Sequence, residues 1–226
     1  MKKIFPKNYT SSRNEIILNY CKWKKVLHIW ACDSPNTLDK YSWNRSPLLY
    51  REIDKICWEQ LWIDLDKSSI KFLNSKKEFK NSKITFFDMN KLENLDFQPE
   101  VIIFWDVIEH LMNLEIALTN LKKVMDSNCL LIISTPNAYC ISNFVNNLFW
   151  VEFIHEDHKV NFSYWSLSAL LNYNNLTEEK FYFTNLDSFT NNLNIYWKIS
   201  YRFKRIVIFL NKSYADTLLF ISKKWN

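Results

Sequence analysis

The chain of 226 residues contains no glycine. That absence constrains its fold more than any motif does. Glycine supplies left-handed helix ends, tight turns and close backbone approach to ligands without steric cost. At the usual frequency of about 7%, roughly sixteen are expected in a chain this long. Tryptophan, normally rare, occurs ten times. Either other residues carry every such position, or some tryptophans stand where glycine belongs.

The rest of the composition is ordinary. Hydrophobic residues make up 48% and charged residues 23%, with a net charge of +5. These values describe a soluble globular chain, and the absence of any linker or repeat predicts a single domain over 1–226. The densest basic cluster, "NSKKEFKNSK" at 74–83, reads as a solvated loop, with a weak anionic-surface contact as the alternative, and no nucleic-acid partner is expected. Five dispersed cysteines lack CxxC and zinc-ligand spacing, which predicts free thiols in a reducing compartment. No apolar leader and no long apolar run is visible, so a cytoplasmic location without a transmembrane segment is expected.

Apolar runs alternate with amphipathic stretches. Strands are predicted at "KKVLHI", "QLWIDLD", "KITFFDM", "PEVIIFWDV" and "NCLLIISTPN", with helices around "RNEIILNYC", "SPLLYREIDKIC", "KSSIKFLN" and "NLEIALTNLKKVM" between them. Later segments read as a helix at 166–176, a strand at 179–186, a helix at about 194–210 and a final strand at 215–224. Continuous apolar strands alternating with helices predict an α/β fold: a buried, mostly parallel sheet with helices on both faces.

In such sheets ligands bind beyond the carboxyl ends of the strands. Those ends are acidic in series: Asp33, then Asp64 and Asp66, then Asp88, then Asp106 with Glu109 and His110. A carboxylate such as Asp64 can take both hydroxyls of a ribose, and Asp88 can accept from an adenine amino group. No GxxxxGK[ST] loop is present, and acids would repel a pyrophosphate. An uncharged or cationic nucleoside suits this edge better.

The series "VLHIWACDS", "LWIDLD", "ITFFDMNKLE", "VIIFWDVIEHL" and "NLKKVMDSNCLLIISTPNAY" resembles the class I S-adenosylmethionine-dependent methyltransferases over residues 24–140. "DVIEHL" and the later "HEDHKVNFSYWSLSALL" are similar to the small-molecule and glycan-modifying branch. The resemblance implies a Rossmann-like fold with a mostly parallel seven-stranded sheet, S-adenosylmethionine as cofactor, and a small-molecule or sugar acceptor. Residues 141–226 would then supply the acceptor side and the last strands. The cofactor residues it implies are His28, Trp30 and Cys32 in the first loop, Asp64 and Leu65, Asp88 and Met89, and Asp106 and Val107. Trp30 and Cys32 fall on the family's first two loop glycines, and His28 falls on its acid.

An indole at position 30 would fill space that the cofactor needs. Trp62 and Trp105 also fall on positions that are glycine or small in the family. Trp23 and Trp58 lie in glycine-like contexts beside predicted helices. A gene whose UGA codons mean glycine, read with a table that gives tryptophan, would produce this pattern. In the opposite reading the chain is naturally glycine-poor, and Asn128 carries a left-handed turn before the fifth strand.

Methyl transfer requires alignment and, for a hydroxyl or amine acceptor, a base. His110 is the first candidate, with Glu109, Asp157 and His158 beside it. "HEDH" lacks the HExxH spacing, so no metal is expected, although His155, Glu156 and His158 form a conceivable set. The aromatic stretch 143–153 reads as core or as a lid. The stretch 196–212 reads as a helix packed on the sheet, with membrane-surface contact as the alternative. Two rivals remain: a non-catalytic Rossmann-like module with an occluded cleft, and a nicotinamide oxidoreductase, disfavoured because restoring glycine at position 30 still gives no GxGxxG.

Overall fold

The computed structural model describes residues 4–30, 49–76, 79–152, 155–185 and 195–225, with side chains of 195–201 excluded. Cys32 and Asp33 lie outside the described residues. The strands are β1 (Tyr9–Thr10), β2 (Lys25–Ile29), β3 (Glu59–Asp64), β4 (Ser82–Phe86), β5 (Val101–Trp105), β6 (Leu130–Pro136), β7 (Leu176–Thr184) and β8 (Thr217–Lys224). The helices are α1 (Arg13–Cys21), α2 (Leu49–Asp54), α3 (Lys67–Asn74), α4 (Leu114–Val124), α5 (Ile141–Leu148), α6 (Tyr164–Tyr173) and α7 (Ile195–Leu210).

One sheet runs in the order β1-β7-β8-β6-β5-β2-β3-β4. Strands β2 to β6 pair in parallel, and β8 is antiparallel to both β6 and β7. The sheet is therefore eight-stranded and mixed, one strand larger than expected. The extra strand is the two-residue β1, drawn from what reads as a polar lead and paired with Phe183 and Thr184.

Period-two alternation distributes the apolar runs to both faces. Leu27, Ile29, Ile102, Phe104, Leu131, Ile133, Leu218 and Phe220 enter one core, covered by Leu118 and Leu121 of α4 and Leu167 and Leu171 of α6. Val26, Val101, Ile103, Ile132, Leu219 and Ile221 enter the other, covered by Ile17 and Cys21 of α1 and Ile53 of α2. Each fully buried leucine contributes about 2 kcal/mol. A third cluster joins Tyr50, Trp62, Ile70, Leu73 and Ile84.

Three helices end on a left-handed residue: Trp23 (φ 59°) after α1, Trp150 (φ 60°) after α5 and Asn175 (φ 56°) after α6. At α5 the Trp150 N–H donates to the Asn147 carbonyl at 3.2 Å and the Val151 N–H to the Asn146 carbonyl at 3.1 Å. That is a Schellman ending, whose left-handed position favours glycine. The indole there is 98% exposed and fills nothing. Asn128 is not left-handed. Its N–H donates to Asp126 Oδ1 at 2.8 Å in a local turn, and Asn175 is the asparagine that takes the left-handed role.

The described part of the 143–153 stretch, 143–152, is not core: Phe144, Leu148, Phe149 and Trp150 are exposed, and Phe153 lies outside the described residues. On α7, Ile208 is buried and Lys204 pairs with Asp216 at 2.6 Å, while Phe203, Ile206, Phe209 and Leu210 are exposed. Among the described residues, no helix is long and apolar enough to cross a membrane.

Candidate active site

The strand order reverses between β2 and β5, so the carboxyl ends of these two strands flank the switch point of the sheet. Trp30 follows β2 and Asp106 follows β5. On the far side of β2, Asp64 ends β3. Trp30 therefore stands between the two acids that the sequence singles out.

Trp30 is left-handed, with φ 54°. Its N–H donates to the Ile63 carbonyl at 2.9 Å, which ties the turn to β3. The partly buried indole packs against the main core, with its ring centroid 6.4 Å from that of His110. Its buried Nε1 has no hydrogen-bond partner among the described residues.

Asp64 is buried and accepts the Asp66 N–H at 2.8 Å. Asp66 instead caps α3, accepting from the Ser68 and Ser69 N–H groups at 2.9 and 3.3 Å. Leu65, between them, is exposed. Asp88 lies on the neighbouring strand end. Its Oδ1 accepts from the backbone and the side chain of Asn90, both at 2.9 Å, while Met89 is buried.

Asp106 is also left-handed (φ 49°) and is held on several sides. It accepts from Arg13, from Ser134 Oγ at 2.8 Å and from Trp105 Nε1 at 2.6 Å. The Arg13 guanidinium lies 4.2 Å from the centroid of the Trp105 ring. Val107 beside it is buried. His28 sits one residue inside β2, on the face opposite Leu27 and Ile29. Burial pulls its pKa down to about 3, so it is a neutral core imidazole.

A short turn, Ile108–His110, carries the acceptor-side candidates. The Lys159 and Val160 N–H groups donate to the Glu109 carbonyl at 2.7 and 3.2 Å, which joins this turn to the 155–160 segment. Glu109 is 1% exposed, and its Oε2 accepts from Thr135 Oγ1 at 2.9 Å. Burial, aided by the charge of Asp106, pushes its pKa up to about 8. The rings of His110 and His158 lie 4.8 Å apart, and burial lowers the His158 pKa. His110 Nδ1 lies 3.3 Å from the Asp157 carbonyl, whereas the Asp157 side chain is exposed. Glu109, His110 and His158 thus come together, and Asp157 contributes through its backbone.

Sequence reading missed Arg13 and Thr135. A signal for Arg13 was present: Arg13, Ile17 and Cys21 share one helical face, and all three are buried. An arginine on an apolar face needs a buried acid. A cavity of ≈ 660 Å³ lined by Lys122, Lys123, Lys224 and Trp225 lies at the opposite, amino edge of the sheet, away from these groups.

The mixed, doubly wound sheet is a Rossmann-like methyltransferase fold. The chain belongs to the methyltransferase-domain family, whose model matches residues 23–192. It is similar in structure to a SAM-dependent methyltransferase from Archaeoglobus fulgidus, with TM-score 0.59, 18% identity, and 94% and 91% of the two chains covered. The N-methyltransferase NodS from Bradyrhizobium japonicum WM9, solved with S-adenosyl-l-homocysteine, gives 0.56 at 12% identity over 94% and 85%. Magnesium protoporphyrin IX methyltransferase from Synechocystis PCC 6803, with bound SAH, gives 0.60 at 10% identity over 93% and 81%. A sequence comparison with curated proteins finds no match.

Proposed function

We propose that the protein transfers a methyl group from S-adenosylmethionine to a small-molecule or sugar acceptor, and that glycine stands at position 30 of its functional form. The observation that carries this reading is Trp30 itself. It occupies the switch point between Asp64 and Asp106 with a backbone conformation that glycine adopts freely. The acids fit a nucleoside ligand, and the indole does not.

With the indole removed, Asp64 is placed to hold the ribose hydroxyls and Asp88 to approach the adenine. Asp106 is fixed by Arg13 beside the methionine end. The cofactor supplies an activated sulfonium methyl when bound. Glu109, His110 and His158 then orient the acceptor and draw off its proton, with Asp157 steadying His110. Left-handed tryptophans at 23 and 150 support the same substitution at those positions. Trp58, Trp62 and Trp105 are not left-handed and lend it no such support.

Peptide mass spectrometry of the protein from its own cells tests the residue at position 30. We expect glycine; tryptophan would overturn this part of the reading and favour a non-catalytic module with an occluded cleft.

A further inference from the structure

We propose that Glu109, His110 and His158 form a binding site for a divalent transition-metal cation. One donor atom from each lies within 4.8 Å of the others. Donors about 2.1 Å from a tetrahedral centre lie roughly 3.4 Å apart, so small side-chain rotations close the set.

Two further observations point to a ligand. Glu109 Oε1 is buried with no hydrogen-bond partner among the described residues, while Thr135 occupies Oε2. A buried carboxylate oxygen left unpaired costs free energy that a cation would offset. His110 has its Nδ1 against the Asp157 carbonyl. Donation from Nδ1 leaves the lone pair of Nε2 available, the usual arrangement of a metal-bound imidazole held by a backbone oxygen. Glu109 therefore has an outer partner on one oxygen and a vacant position on the other.

The donor set indicates the cation. Two imidazole nitrogens and one carboxylate suit zinc, manganese, cobalt or ferrous iron better than magnesium or calcium, which prefer all-oxygen shells. Both histidines are part-exposed, which leaves coordination positions facing solvent. A three-ligand His₂–carboxylate site with open positions takes a substrate oxygen. That makes the acceptor group a hydroxyl, and with the ion bound the metal acidifies that hydroxyl in place of the ligated histidines acting as bases. This step rests on the methyltransferase reading; cation binding itself does not. His155, whose ring lies 6.1 Å from His110, stays outside the set, as does the neighbouring Glu156.

The test uses the full chain stripped with chelator and titrated with Mn²⁺ alone, following loss of the free-ion electron paramagnetic signal. We expect saturable binding of one ion, weakened at least tenfold in His158→Gln and in Glu109→Gln, and changed less than threefold in His155→Ala. Thermal melts of each variant check folding, and Glu109→Gln retains the shape of the Thr135 contact. No saturable binding in the parent chain would overturn the proposal, and so would equal binding by the folded Glu109 and His158 variants. Because no cofactor or acceptor is present, an ion bound by a folded Trp30→Gly protein that does not bind S-adenosylhomocysteine would leave this site standing and reject the methyltransferase reading.

Discussion

A single nitrogen of Arg13, Nη1, donates to both carboxylate oxygens of Asp106, at 2.9 and 2.8 Å, and to Ser134 Oγ at 2.6 Å. The first helix is thereby fixed to the end of β5 at the switch point. The guanidinium is nearly buried, while the Asp106 side chain is 34% exposed. Removing one partner of a buried pair leaves the other charge uncompensated. Because Asp106 is partly open to water, Arg13→Leu should cost about 2 kcal/mol, below the roughly 3–5 kcal/mol of a fully buried pair. Urea unfolding measures this, and a loss under about 0.5 kcal/mol would show that the pair is not structural.

The tryptophans should separate by backbone conformation. A non-glycine residue in the left-handed region costs about 1 kcal/mol or more. Trp150→Gly and Trp23→Gly should therefore each stabilise the chain by about 1 kcal/mol, or roughly 2–4 °C in melting temperature. Trp62 is extended, fully buried and set against Tyr50 and Phe79 at ring distances of 4.4 and 5.0 Å. Trp62→Gly should cost about 4 kcal/mol. Equal responses at 62 and 150 would contradict the division.

His28 makes stability depend on pH. Its folded pKa of about 3 lies below the unfolded value near 6.5. Above that unfolded value both states are neutral and the group contributes no slope. As pH falls through the window from about 6.5 to 3, the unfolded chain takes up a proton that the folded chain refuses, and stability is lost. The slope is up to about 1.4 kcal/mol per pH unit. His28→Val should flatten the difference between pH 6.5 and 5.5 by about 1 kcal/mol in denaturant titrations. Parallel pH profiles for the two proteins would show that His28 is hydrated.

The sheet was legible where apolar runs were continuous. β2, β5 and β6 are buried on both faces, so their residues need no alternation to be recognised. Strand order was not legible. That β8 inserts antiparallel between β6 and β7 depends on long-range packing, not on any local pattern. At the site, Asp64 and the Glu109–His110 pair were visible because their strands end there. The place of Arg13 on an apolar helical face was visible, but its partner was hidden, because Asp106 lies 93 residues away. Trp150 was hidden because an aromatic residue among aromatic residues reads as core, whereas here it caps a helix in water.

We propose that a cofactor site lies at the switch point and that the Trp30 indole blocks it. Isothermal titration with S-adenosylhomocysteine, comparing the Trp30 chain with Trp30→Gly, separates the site from the block. Micromolar binding is expected for Trp30→Gly, and at least tenfold weaker binding for the tryptophan form. No binding by a folded Trp30→Gly protein would contradict the site, and equal binding by both would contradict the block.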